Sequence, residues 1–251
     1  MEIDAIVLAG AINNGKLQEI SSCEHEAMIL INGKPMVGYV VETLQRVSGV
    51  RQMAVVGPDE LRPIFNGTIP IIKPGETLAD SIKNGLDYLN TSRMVLLVTA
   101  DIPLVSEEAL EDFLLRCSDL DGDLFYPVVS KEANDKLYPG VERTYVQLKE
   151  GTFTGGNIFL IAPAVIENCH AIIRRAIALR KKPIQLSRLL GISFIIKLLL
   201  HSLSISEIEK RVKAIFEIKG VAVISPYPEI GIDVDKTSDW QLAEDLLSKA
   251  E

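Results

Sequence analysis

Apolar and polar residues follow each other along this chain in two rhythms, and the order of those rhythms predicts the fold. Ile3–Leu8 is an apolar run stopped by Ala9-Gly10, the pattern of a central strand covered on both faces. From Pro35 the period lengthens. Met36, Val37, Val40, Val41, Leu44 and Val47 fall on one stripe of a helix that ends near Ser48-Gly49. Short apolar runs at Met53–Val56 and Ile69–Ile72, bounded by Pro or Gly, predict two more strands. Thr77-Leu78-Ala79-Asp80 is a capping-box pattern opening a helix with Leu78, Ile82, Leu86 and Leu89 inward. Met94–Val98 predicts a further buried strand, and Ser106-Glu107-Glu108 starts a helix with acids in its first turn.

Strands and helices that alternate in this way predict an α/β fold, a doubly wound, mostly parallel sheet with helices on both faces. Beyond about Asp121 the pattern is mixed. Leu124–Val129, Thr144–Leu148 and Asn157–Ile161 read as strands without helices between them. Helices near Pro163–Leu179 and Ser206–Lys219, a strand at Val221–Ser225 and a last helix from about Ser238 complete the chain. No repeat, low-complexity tract or linker divides the 251 residues, so one domain, 1–251, is expected. The longest apolar stretch, Leu189–Leu203, is interrupted by Lys197 and His201 and falls short of the roughly 20 residues of a membrane span. A buried helix is the expectation there, with an interfacial helix as the alternative.

Composition narrows the function. With 47% hydrophobic and 24% charged residues the chain is an average globular protein, which excludes disorder and a disulfide-stapled scaffold. A formal net charge of −8 makes it a poor partner for nucleic acid, yet leaves room for a phosphorylated small molecule held by local lysines or a metal. Cys23, Cys117 and Cys169 are odd in number and lack CxxC spacing, which points to a reducing compartment. Met1-Glu2-Ile3-Asp4 is acidic where a signal peptide is basic, so a cytoplasmic protein is expected.

Four segments carry candidate chemistry. Leu8-Ala9-Gly10-Ala11-Ile12-Asn13-Asn14-Gly15-Lys16 leaves the first strand at its carboxyl end, where open parallel sheets bind ligands. Its glycines permit a phosphate to approach the backbone and Lys16 offers counter-charge, although a plain strand-to-helix turn has the same spacing. Asp101, in Thr99-Ala100-Asp101-Ile102-Pro103-Leu104, stands at the end of a buried strand, an expensive place for a carboxylate unless something binds it. A hard cation such as Mg²⁺ explains it, and an Asp capping the turn before Ser106 is the structural alternative. Asp233 and Asp235 share a face if their segment is extended, where like charges repel unless a cation intervenes. Ser238 with Gln241 forms a capping box for the last helix. Thr154-Gly155-Gly156-Asn157 combines close backbone approach with an amide that both donates and accepts, or is simply a tight turn. Asp121-Gly122-Asp123 is a DxD, with a solvated acidic turn as the stronger reading. His25, His170 and His201 have no metal or triad spacing, and Arg174-Arg175 with Arg180-Lys181-Lys182 suits a helix C-terminus.

Val7-Leu8-Ala9-Gly10 with Asn32-Gly33-Lys34-Pro35-Met36 resembles the MobA-like NTP-transferase (nucleotidyltransferase) superfamily, which includes molybdenum-cofactor guanylyltransferase and the sugar-phosphate nucleotidyltransferases. The likeness spans nearly the whole chain and is strongest at residues 5–47, 94–104 and 231–246. It implies the nucleotide-diphospho-sugar transferase, glycosyltransferase A-like fold, with 1–120 as the nucleotide-binding half and 121–251 as the acceptor-binding, more helical half. It implies Asp101 as a metal ligand, with Asp235 as second ligand ahead of Asp233. Leu8, Ala9, Gly10 and Ala11 would border the nucleotide, Lys73, Gly75 and Ser81 its base and ribose, and Asn157 the acceptor. The implied reaction is Mg²⁺-dependent transfer of an NMP group from a nucleoside triphosphate to a phosphorylated or acidic small-molecule acceptor, releasing pyrophosphate, in a chain that could pair as a homodimer. Ala11 replaces the family's second glycine, the loop arginine is missing, and the second lysine falls on Glu26, so Lys16 or Lys73 is expected to offset the triphosphate. The rivals are a sugar-nucleotide-dependent glycosyltransferase using Asp121 and Asp123, and a non-catalytic nucleotide-binding protein.

Overall fold

Nine strands form one sheet in the computed structural model, which describes residues 1–166 and 191–249. Its centre is β1 (Ile3–Leu8), flanked in parallel by β4 (Val50–Val56) and β6 (Val95–Thr99), with β5 (Ile71–Ile72) beyond β4. The two-stranded hairpin β2 (Leu30–Ile31) and β3 (Lys34–Pro35) stands outside it. Asn32 and Gly33 both have positive φ, 48° and 78°, the backbone of a two-residue hairpin turn that Asn-Gly adopts readily. Pro35 then caps helix α1 (Met36–Arg46), so the Asn-Gly-Lys-Pro string is a turn joined to a helix start.

Alternate residues of β1 build two cores. Ile3, Ala5 and Val7 pack with the stripe Val37, Val40, Val41 and Leu44 of α1, and with Leu110 and Phe113 of α3 (Glu107–Ser118). Ile6 faces the opposite layer, α2 (Leu78–Leu89), through Ile82, Leu86 and Leu89. The capping box at Thr77 and Asp80 forms as the sequence predicts, but Leu78 is exposed and Ala79 is buried in its place.

The second half adds β7 (Leu124–Ser130), α4 (Lys131–Leu137), β8 (Val146–Leu148), β9 (Gly151–Gly155), β10 (Ile158–Ile161) and β11 (Gly220–Ser225). β10 runs antiparallel between β6 and β7, and β11 lies parallel to β7 on its other edge. The sheet is thus mixed but mostly parallel, since β9 and β10 alone oppose β1 among the described strands. Because β10 is reversed, it begins at the edge where β1 and β6 end. The register of β9–β10 against β7 slips by two residues at Gly156-Asn157, a bulge that sets Asn157 at that edge.

Helix α5 (Ile192–Leu199) occupies the apolar stretch expected to be buried. Phe194 and Leu198 pack on Leu148, Phe153 and Leu203, while Ile196, Leu199 and Leu200 are exposed, so one face only is covered. No helix among the described residues is long and apolar enough to cross a membrane. Helix α6 (Ile205–Phe216) is capped by Ser204 and Glu207. Helix α7 (Thr237–Leu247) starts one residue earlier than expected, with Lys236 as its uncapped N-cap, so the Ser238–Gln241 box does not form. Most of the helix expected at 163–179, with Cys169, His170 and the basic patch at 174–182, lies outside the described residues.

Candidate functional site

Three loops leave the carboxyl edge of the sheet side by side. The Ala9 N–H donates to the Val56 carbonyl (2.8 Å) and the Ala100 N–H to the Leu8 carbonyl (3.1 Å), so the turns after β1, β4 and β6 are stitched together. Ala9, Ala11, Glu26, Ala100 and Asp101 border one small crevice there. Gly10 packs beneath Pro74: a Cβ at residue 10 would stand 3.1 Å from Pro74 Cβ. Gly75 donates its N–H to Ser81 Oγ (3.0 Å), which fixes the segment beside the loop. Lys73 is exposed and is not part of the acidic cleft described below.

The loop after β1 is ordered by Asn13. Its buried amide donates to the carbonyls of Ser21 (3.0 Å) and Cys23 (3.1 Å), and its N–H donates to Glu24 (2.8 Å). Ile12 bridges to His25, and Glu26 donates its N–H to the Ala11 carbonyl (3.1 Å). Residues Ser21–His25 therefore fold back on the loop, and Glu26 returns to the mouth of the site.

Asp101 meets the distant acidic segment directly. The Val234 N–H donates to the Asp101 carbonyl at 2.8 Å. Val234 is fully buried, and its neighbours Asp233 and Asp235 turn the other way, the alternation expected of an extended chain although this stretch joins no sheet. Helix α7 holds it there: Trp240 Nε1 donates to the Leu30 carbonyl (2.8 Å), and Asn32 is bonded to Glu244 through its N–H and its side-chain amide. Asp239 in its first turn accepts from the Asp235 N–H (3.2 Å).

Carboxylate oxygens of Asp101, Asp233 and Asp235 all lie within 4.8 Å of one another. Octahedral oxygen ligands at about 2.1 Å from Mg²⁺ lie about 3 to 4 Å apart, so a small closing movement would let this hard, all-oxygen donor set share a cation. Crowding already affects protonation. Burial, with the charges of Asp233 and Asp235, pushes the Asp101 carboxyl up to about 7 against the opposing hydrogen bond from Thr99. Asp235 is raised by burial, Asp233 and Asp239, and Glu26 by burial, Asp235 and Asp233. Without a cation these acids resist ionising together.

The acids open into a cleft of about 580 Å³ whose wall includes Lys16, Glu26, Arg143, Asp233, Asp235 and Lys236. Lys16 is exposed at the start of a short 3₁₀ turn and borders the same cleft as Asp233 and Asp235. Arg143 is the residue that the sequence patterns missed. It lies in the loop between α4 and β8, in no motif, and it forms an ion pair with Asp233 and donates to the Gly231 carbonyl. Asn157 is beside the acids rather than in the cleft wall. Its carbonyl accepts from the Thr99 N–H (3.2 Å), and its Nδ2 has no hydrogen-bond partner among the described residues. Asp121 and Asp123 lie before β7, at the opposite edge of the sheet, bound to Lys219.

Comparison with known proteins gives one family. The MobA-like NTP transferase domain matches residues 6–185. A structure described as a hypothetical transferase from Thermus thermophilus is 34% identical, covers 96% of this chain and 100% of its own, and superposes with a TM-score of 0.85. Bifunctional protein GlmU of Parvibaculum lavamentivorans is 29% identical over 123 residues, 46% of this chain and 26% of GlmU. The 2-C-methyl-D-erythritol 4-phosphate cytidylyltransferase of Clostridium perfringens is 27% identical over 120 residues, 44% of this chain and 52% of that protein. The chain thus spans between about a quarter and a half of the curated relatives it matches.

Proposed function

This chain belongs to the MobA-like NTP transferase domain family, and on that premise we propose that it is a nucleotidyltransferase acting on a small-molecule acceptor. The observation that carries the proposal is the meeting of the Asp101, Asp233 and Asp235 carboxylates within 4.8 Å of one another, Asp233 and Asp235 lining the cleft and Asp101 bordering the crevice beside the loop after β1. Asp101 and Asp235, with Asp233 in support, would hold Mg²⁺, which when bound would neutralise the α-phosphate and orient it for in-line attack. The acceptor oxygen bonds to the α-phosphorus, the bond to the bridging oxygen breaks, and pyrophosphate leaves. No protein nucleophile is needed, so positioning and charge neutralisation are the tasks of the side chains. Leu8–Ala11 and Gly75–Ser81 border the nucleotide side in this reading, Lys16 faces the β and γ phosphates, and Asn157 faces the acceptor. The acceptor is taken to be phosphorylated or acidic, because the cytidylyltransferase relative is named for a sugar-alcohol phosphate.

One observation favours a second reading. Glu26 puts a carboxylate into the cleft where the family pattern has a lysine, which suits a nucleotide-binding protein without turnover. The glycosyltransferase reading loses support because Asp121 and Asp123 lie at the other edge of the sheet. The deciding experiment is pyrophosphate release from ATP, CTP, GTP and UTP with Mg²⁺ and a panel of sugar phosphates, polyol phosphates and sugar acids. Release with one pair, together with an NMP-linked product, supports transfer. Triphosphate binding with no release for any pair would favour the non-catalytic reading.

A further inference from the structure

We propose that Arg143 competes with a divalent cation for Asp233 and, once displaced, supplies the triphosphate counter-charge that the loop after β1 lacks. The inference rests on the nucleotidyltransferase reading and deepens it. Arg143 and Asp233 are both largely withdrawn from solvent, with side-chain exposures of 12% and 18%. Their contact is an ion pair without a well-aligned hydrogen bond: the buried Asp233 Oδ1 accepts none among the described residues. Arg143 covers that oxygen, so a cation that reaches it must displace the guanidinium. Asp101 and Asp235 stand within 4.8 Å of Asp233, so a cation bound to them lies within reach of the atom that Arg143 now covers.

Charge balance explains why displacement would matter. The cleft wall carries Lys16, Arg143 and Lys236 against five carboxylates, before Asp101 is counted. Lys236 is already paired with Glu142 at 3.1 Å. A triphosphate entering this cleft meets net negative charge. A cation on the aspartates weakens the hold of Asp233 on Arg143, and a guanidinium on a loop outside any helix or strand can then turn toward the phosphates. Metal and triphosphate binding become coupled, each strengthening the other. A structural tether, in which Arg143 merely fastens its loop to the Gly231 carbonyl, would give no such coupling.

The two roles separate in a titration of the full chain and its Arg143→Gln and Arg143→Lys variants. Mn²⁺ binding is measured without nucleotide by electron paramagnetic resonance. Calorimetry with saturating Mg²⁺ then compares the best-binding triphosphate of ATP, CTP, GTP and UTP with its monophosphate. Removing the competitor should tighten Mn²⁺ binding by Arg143→Gln about tenfold, while triphosphate binding weakens by at least about tenfold and monophosphate binding stays within about twofold. Arg143→Lys keeps the charge and should restore part of the triphosphate affinity. If Arg143→Gln is unstable in thermal unfolding, Arg143→Lys alone still reports, because a looser ion pair should tighten Mn²⁺ binding. Mn²⁺ affinity that is unchanged or weaker in the variants, or equal losses for triphosphate and monophosphate, would overturn the role of Arg143 alone. A wild-type protein that binds neither Mn²⁺ nor any triphosphate would overturn the nucleotidyltransferase reading as well.

Discussion

Asp101 concentrates the tension in this molecule. Its carboxyl is half-buried, faces Asp233 and Asp235, and is pushed up to about 7 chiefly by burial. In the unfolded chain it would titrate near 4. Between these values the folded state holds a proton that the unfolded state has lost, so stability falls as pH rises from about 4 to about 7. Urea unfolding with EDTA should therefore show wild type losing stability relative to Asp101→Asn across that window, with Mg²⁺ diminishing the loss at the alkaline end. A difference between the two proteins that does not vary with pH would contradict this placement of the charge. Asp101, Asp233 and Asp235 were legible in the sequence because each stands in a short segment whose alternation or strand end makes a lone charge costly. Arg143 was not. Its partner is Asp233, far along the chain, and no spacing within residues 138–145 announces that contact.

At the scale of elements, the β9–β10 segment shows how local geometry sets the site. Gly155 lies against Tyr126, which stacks on Phe159 at 4.8 Å between ring centroids. A Cβ at residue 155 would stand 1.7 Å from the Tyr126 hydroxyl oxygen, so Gly155→Ala must move the ring or the strand. We expect it to cost about 1 to 3 kcal/mol in denaturant unfolding, as overpacking of a core does. An unchanged midpoint would mean that the bulge at Gly156-Asn157 absorbs the side chain. The sequence announced β10 but neither β9 nor the direction of β10: nothing in Ile158–Ile161 tells an antiparallel insertion between β6 and β7 from a parallel neighbour. Capping shows the same limit. Thr77-Asp80 and Ser204-Glu207 form their boxes, whereas Ser238-Gln241 has equal chemistry but lies one residue inside its helix. Helix boundaries depend on what the flanking chain packs against. Here Val234 is drawn into the core beside Leu17 and Ile31, which fixes where α7 begins.

At the scale of the whole molecule, the alternation of strands and helices up to Ser118 was enough to predict the sheet and its two covering layers, because each helix buries one stripe against β1. That topology brings together the loop after β1 and the end of β6, the bonds of Trp240 and Glu244 to Leu30 and Asn32 bring the segment before α7 to them, and this convergence is the premise of the proposed chemistry. The most direct measurement is Mn²⁺ binding in the presence of the best-binding triphosphate, for wild type, Asp101→Asn, Asp235→Asn and the double variant, with thermal unfolding to show that all four are folded. If the two aspartates share one cation, each single change should weaken Mn²⁺ binding by more than about tenfold. The double variant should then be little worse than either single one, because the two groups act as a unit. Full Mn²⁺ affinity in either single variant, or losses that simply add in the double, would contradict a shared site.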